Sequence, residues 1–218
     1  MRSASAERMH DADVRQATWA MINRCKSNNG PDVLKLDEFA LCSEVRADIT
    51  VINGHMTGYE LKSASDNLKR LPKQVSFYSK VLDYCNLVVA ENHFDRALQL
   101  LPSSWGIYIA KGTKKGSLHI RRYRTARIDR SMFDARLAVE LLWRDEALDI
   151  LTQYGYDRGV RSLTRPFIWD RMVERFTPSQ IRQLVRHQLK SRQHWRVVSP
   201  HMPDDESCST SATDCLNR

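Results

Sequence analysis

Arg46-Ala47-Asp48-Ile49-Thr50-Val51-Ile52 and, beyond Asn53-Gly54-His55, Met56-Thr57-Gly58-Tyr59-Glu60-Leu61-Lys62 are the two runs that decide the fold. Both are rich in branched and aromatic residues and alternate, so residues 45–52 and 55–63 are expected to be neighbouring strands. Side chains alternate along a strand, which puts Glu60 and Lys62 on one face about 7 Å apart. Carboxylates from two adjacent strands can hold a hard cation such as Mg²⁺ through oxygen, and an ammonium beside them can orient a water. A bare Glu-x-Lys is far more often a surface ion pair, so register and context decide between the two. The two-residue Asn53-Gly54 turn is the strongest short hairpin signal. It pairs residues summing to 107 and throws Asp48 and Glu60 onto opposite faces. A shared site needs a sum of 108, from an odd loop such as Asn53-Gly54-His55 with Gly54 left-handed, or from a bulge between Asp48 and Glu60.

Outward from this pair, residues 11–23 carry Val14, Ala17, Trp19, Met21 and Ile22 without Gly or Pro and predict a first helix, ended by Asn28-Asn29-Gly30-Pro31. Residues 33–41 read as the strand before the pair. Pro72 suits the first turn of a following helix whose Leu71, Val75, Tyr78 and Leu82 form one apolar stripe. Residues 86–90 and 105–110 read as further strands. The order is α-β-β-β-α-β-β to about residue 124, and only helical patterns follow. One helix is expected over 133–151 and another from the capping box at Thr177-Pro178-Ser179-Gln180 to about Trp195. The expected organisation is a flexible 1–10, an α/β core over 11–130, a helical appendage over 131–198, and a disordered Ser- and Asp-rich tail over 199–218.

Asp-x(11)-Glu-x-Lys on the second and third strands of such a series resembles the PD-(D/E)XK phosphodiesterases, the restriction-endonuclease-like fold. Gln74-Val75-Ser76-Phe77-Tyr78 resembles the Gln-x-x-x-Tyr motif of their RecB-type nuclease branch. With Asp66, Arg70-Leu71, Leu87-Val88-Val89 and Trp105-Gly106-Ile107, the chain is similar to small, mostly uncharacterised bacterial and phage proteins of that superfamily, related to MmcB-type DNA-repair proteins. The resemblance spans residues 10–195 and is strongest over 45–110. Ala47 stands where the strict motif has Pro.

The resemblance implies a mixed sheet flanked by helices and a Mg²⁺- or Mn²⁺-dependent DNA nuclease, an endonuclease or a repair-type enzyme. It implies that Asp48, Glu60 and the Leu61 carbonyl hold the metal, that Lys62 handles the attacking water, and that Gln74 and Tyr78 support the site. Relatives add an acid from the first helix or strand. Asp11, Asp13, Glu38 and Glu44 are the candidates here, with Asp13 and Glu38 best placed. The alternative is a silent module of the same fold that binds nucleic acid or protein.

The chain has 34 Lys and Arg against 26 Asp and Glu, a formal charge of +8 that favours a polyanionic partner such as single-stranded or structured duplex DNA. The excess peaks over 111–130, so Lys114, Lys115, Arg121 and Arg122 are expected nucleic-acid contacts. Its 218 residues fit one domain plus an appendage. No run approaches the ~18 apolar residues of a membrane span, and Glu7 and Arg8 fall where a signal peptide is apolar. A cytoplasmic location is expected, with a homodimer or protein partner left open. The five cysteines have no metal-ligand spacing and read as reduced thiols, chiefly buried ones, with no zinc site. The seven histidines do not cluster, and Gly112-Thr113-Lys114-Lys115-Gly116-Ser117 lacks P-loop spacing and reads as a basic turn.

Overall fold

The computed structural model describes residues 10–112 and 117–192. The expected tail over 199–218 and most of the N-terminal segment lie outside these residues. Helix α1 (Asp11–Asn23) leads into β1 (Leu34–Leu41), β2 (Val45–Ile52) and β3 (Met56–Lys62), then α2 (Leu71–Val81), β4 (Tyr84–Ala90), α3 (Phe94–Leu100), β5 (Gly106–Gly112) and β6 (Leu118–Arg124). Four helices follow: α4 (Ala135–Val139), α5 (Arg144–Gln153), α6 (Arg165–Arg175) and α7 (Pro178–Ser191). The six strands form one mixed sheet in sequence order. β1–β2, β2–β3 and β5–β6 are antiparallel, whereas β3–β4 and β4–β5 are parallel and joined by crossovers containing α2 and α3. The fold is therefore α/β, with a mixed sheet flanked by helices and a helical C-terminal part.

The sheet is covered unequally. On one face α1 seats Val14 and Ile22 against Ile49, Val51, Tyr59, Leu61, Val88 and Ala110. On the other, one continuous core runs from Leu36 and Phe39 through Tyr78, Leu87 and Trp105 to Ile168, Ile181 and Leu189. The helical part thus shares its core with the sheet across the expected boundary at residue 130. Gly58 leaves room for the Leu82 side chain just past α2, since a Cβ there would stand 2.4 Å from Leu82 Cδ1.

Three helical readings and one strand need correction. Residues 133–151 are not one helix, because the Trp143 N–H bonds the Glu146 carboxylate at 2.7 Å and starts a new one. The short α3 and the polar α6 were not expected as helices. β6 was not expected as a strand because its alternation is masked by arginines. Among the cysteines Cys85 is buried, as read, but Cys25 is exposed.

Candidate active site

The register of β2 against β3 pairs Ile49 with Tyr59, Thr50 with Gly58, Val51 with Thr57 and Ile52 with Met56. Every pair sums to 108, the odd register a shared site needs. The loop is the three-residue Asn53-Gly54-His55. It closes through Asn53 N–H to the His55 carbonyl and His55 N–H to the Asn53 side chain, both at 3.0 Å. The expected left-handed Gly54 is not found: the described glycines with positive φ are Gly155 and Gly159. Asn53 supplies the turn instead, by an Asx hydrogen bond.

The ladder stops at Ile49–Tyr59, and there the alternation of β2 breaks. Val45 and Ala47 pack into the core beneath α2, whereas Ile49 and Val51 pack beneath α1. Asp48 sits at the break, and its Oδ2 accepts the Leu61 N–H at 2.8 Å in place of a backbone carbonyl. β1 switches at the matching place. Glu38 has a φ of 51° and lies between the pairs Asp37–Ile49 and Phe39–Ala47, hence opposite Asp48. Left-handed backbone is costly for a residue with a Cβ and concentrates at functional sites. Glu38, Asp48 and Glu60 consequently form a row across three strands.

Glu60 is fully buried and both its carboxylate oxygens accept hydrogen bonds. Oε1 accepts from Lys62 Nζ and Gln74 Nε2, each at 2.5 Å, and Oε2 accepts from the Tyr78 hydroxyl at 2.6 Å. Gln74 and Tyr78, one turn apart on α2, therefore meet on one carboxylate, as their spacing implies. The Tyr78 ring stacks on Trp105 at 5.6 Å, and the Trp105 indole N–H is anchored on Ser79 Oγ at 2.9 Å. Burial, then the Glu60 charge, hold the Tyr78 phenol well above its ordinary pKa and keep it a donor. Gln74 Oε1 is buried and has no hydrogen-bond partner among the described residues. Burial, then the neighbouring Glu60 charge, push the Asp48 carboxyl up to about 7.

One contributor went unread in the sequence. Arg15 of α1 donates to the Asp48 carbonyl at 2.8 Å, pairs with Asp37 at 3.1 Å and Glu38 at 2.9 Å, and stands 3.6 Å from the Asp48 carboxylate. Nothing in a lone arginine between Val14 and Gln16 announces this; the helix had to be placed on the sheet first. Of the candidate acids, Glu38 reaches the cluster. Asp13 does not: it accepts the His10 N–H at 3.0 Å and caps the helix start. Asp11 pairs with Arg15 at 3.5 Å, and Glu44 pairs with Lys73 at 2.7 Å. Asp66 closes the turn after Lys62 by accepting the Ser63 N–H and hydroxyl.

The basic segment divides. Lys114 and Lys115 lie outside the described residues. Arg121 pairs with Ile109 and Arg122 with Tyr108, so they project from opposite faces of β6, with Arg121 in the row of Lys62, Val89 and Ile109. The basic α7 is largely engaged: Arg186 with Asp83 at 3.2 Å and Arg182 over the Phe133 ring at 4.3 Å.

The donor set fits a hard divalent cation in its chemistry. A buried carboxylate, Glu60, and a half-buried one, Asp48, lie on adjacent strands close enough for one charge to raise the other's pKa, and the Gln74 amide oxygen has no hydrogen-bond partner among the described residues. Among the described residues no group of three or more His, Cys, Asp or Glu is placed to hold a metal, so two carboxylates would have to share it with backbone and water. No described helix is long and apolar enough to cross a membrane.

Residues 8–199 match the family model described as bacteriophage P4 protein cII. The chain is 24% identical over 149 residues to protein cII of Enterobacteria phage P4, covering 68% of this chain and 55% of that protein. It thus spans about half the length of the curated relative it matches. Among solved structures it is similar to the SPO1766 protein of unknown function from Silicibacter pomeroyi, at 16% identity and a TM-score of 0.38, covering 75% of this chain and 100% of that one. That likeness is too loose to carry an argument. The phage association expected from the sequence holds, because the match extends over most of the chain: it belongs to the bacteriophage P4 protein cII family.

Proposed function

We propose that this chain is a divalent-metal-dependent nuclease of the PD-(D/E)XK type that hydrolyses phosphodiester bonds in DNA. The observation that carries the reading is the odd register of β2 and β3, which puts Asp48 beside the buried Glu60–Lys62 pair with Gln74 and Tyr78 on the same carboxylate. Asp48, Glu60 and the Leu61 carbonyl would hold Mg²⁺ or Mn²⁺. When bound, such an ion neutralises charge developing on phosphate and acidifies water. Lys62 orients the attacking water from the same face as Glu60. Tyr78 and Gln74 fix the Glu60 carboxylate, and Gln74 Oε1, without a partner among the described residues, accepts a hydrogen bond from that water. Arg15 holds Asp48 at the strand break through its carbonyl.

A second reading, a silent nucleic-acid- or protein-binding module, is favoured by one observation: both Glu60 oxygens already accept bonds from the protein. Incubating labelled single-stranded, nicked, branched and duplex DNA with the chain in Mg²⁺, Mn²⁺ or EDTA separates the two. Metal-dependent product from wild type and none from Lys62→Met supports hydrolysis. No product from wild type with any substrate favours the module.

A further inference from the structure

A groove of about 1190 Å³ runs along β1 and is walled on its far side by the α4–α5 junction and the start of α6. We propose that this groove takes a single-stranded nucleic acid and delivers it to Asp48 and Glu60. The assignment rests on the hydrolytic reading for its destination but on separate residues for its binding.

Four observations carry it. First, Trp143 is 57% exposed on the groove wall, and the Arg192 guanidinium lies 4.3 Å over its ring. One face of the indole is thus backed by a cation while much of the ring stays open to a stacking base. Trp169, deeper in the wall, carries Arg136 and Arg165 over its ring at 5.1 and 5.3 Å. Second, the groove's acids are already neutralised. Asp37 and Glu38 are paired with Arg15, Glu38 also with Arg46 at 3.2 Å, and Glu140 with Arg136 at 2.7 Å. Arg144 and Arg192 of the lining are likewise paired, with Asp145 at 3.0 Å and Glu146 at 2.6 Å, whereas Arg165 has no carboxylate partner among the described residues and is the charge left for a phosphate.

Third, a peptide strand is poorly suited to the place. β1 ends the sheet, but its left-handed Glu38 breaks the edge in mid-strand, where an added strand would need a regular row of N–H and carbonyl groups. Fourth, the groove borders on the chemistry through β1, although Asp48, Glu60 and Lys62 are not in its lining. Asp37 and Glu38 line it and share Arg15 with Asp48. Flat bases stacking on an indole require an unpaired strand, whereas a duplex keeps its base faces covered.

The test is fluorescence anisotropy of a labelled oligothymidylate against the full chain in EDTA, with a duplex of equal length as competitor. Wild type is expected to prefer the single strand. Trp143→Ala should lose about 10-fold or more in affinity, Trp143→Phe should retain most of it, and Arg165→Glu should weaken binding and flatten its salt dependence. Circular dichroism confirms that each variant is folded, and both substituted side chains lie at the surface. Wild-type affinity in both Trp143→Ala and Arg165→Glu, or preference for the duplex, overturns the assignment. So does absence of any oligonucleotide binding, which would leave the groove to a protein partner. Trp143-dependent binding by a chain that cuts nothing supports the groove and overturns the hydrolytic reading instead.

Discussion

Removing Lys62 and Glu60 separately and together probes the centre of the site without any need for activity. The two side chains are 11% and 1% exposed and meet at 2.5 Å. Deleting one partner of such a pair leaves a charge in low dielectric and typically costs about 3–5 kcal/mol, while replacing both is close to neutral. Lys62→Met leaves Glu60 with Gln74 and Tyr78, two neutral donors that soften the loss, so the lower end of that range, about 3 kcal/mol, is expected. Glu60→Gln keeps an acceptor for Gln74 but strips the ammonium of its counter-charge, again at about 3 kcal/mol. In the double variant neither charge remains, and about 1–2 kcal/mol should cover the altered packing and hydrogen bonds. The coupling is then roughly 4–5 kcal/mol, far outside the ~0.5 kcal/mol scatter of independent sites. Urea unfolding of the four proteins at one pH measures it. Additive losses would refute the reasoning, because they would mean that Lys62 does not neutralise Glu60 in solution.

Three further outcomes follow from the same geometry. Asp48 titrates near 7 in the folded chain, above its ordinary value, so the folded state holds this proton more tightly than the unfolded one. Its contribution is therefore full at acid pH and is lost as pH rises from about 4 towards 7, with a ceiling of about 4 kcal/mol. Asp48→Asn should flatten this slope and gain on wild type between pH 5 and pH 8; a difference in urea midpoint that stays constant with pH would contradict it. Gly58→Ala should lower stability by about 1–3 kcal/mol in thermal melts, because the new Cβ meets Leu82, and Leu82→Ala in the same chain should recover part of that loss. Arg15→Met should destabilise by about 2–4 kcal/mol, since it leaves Asp37, Glu38 and Asp48 without their shared cation; a melt unchanged from wild type would show that α1 docks by its apolar face alone.

Periodic burial explains which parts of the fold were legible in the sequence. α2 buries one regular face, and β2 and β3, buried along most of their length, stand out as runs of branched and aromatic residues, so Glu60, Lys62, Gln74 and Tyr78 could be placed together from the sequence. β6 and α6 could not, because each buries little and its exposed arginines break the pattern. The site's other half was hidden for a different reason. Glu38 and Asp48 lie where β1 and β2 both change pleat, a departure that no alternation rule anticipates. Arg15 reaches them only because α1 crosses the sheet on the opposite face from α2. Between the candidates Asp13 and Glu38 the sequence leaves the choice open, and a carboxylate in the first turn of a helix has a local partner, here the His10 N–H, that competes with any distant site.

Titration of the chain with Mn²⁺, followed by the loss of the free-ion paramagnetic resonance signal, tests most directly whether Asp48 and Glu60 together form a cation site. Wild type is expected to bind a single ion per chain, and both Asp48→Asn and Glu60→Gln to lose it while remaining folded. A silent wild-type titration, or equal binding by all three proteins, would contradict the account.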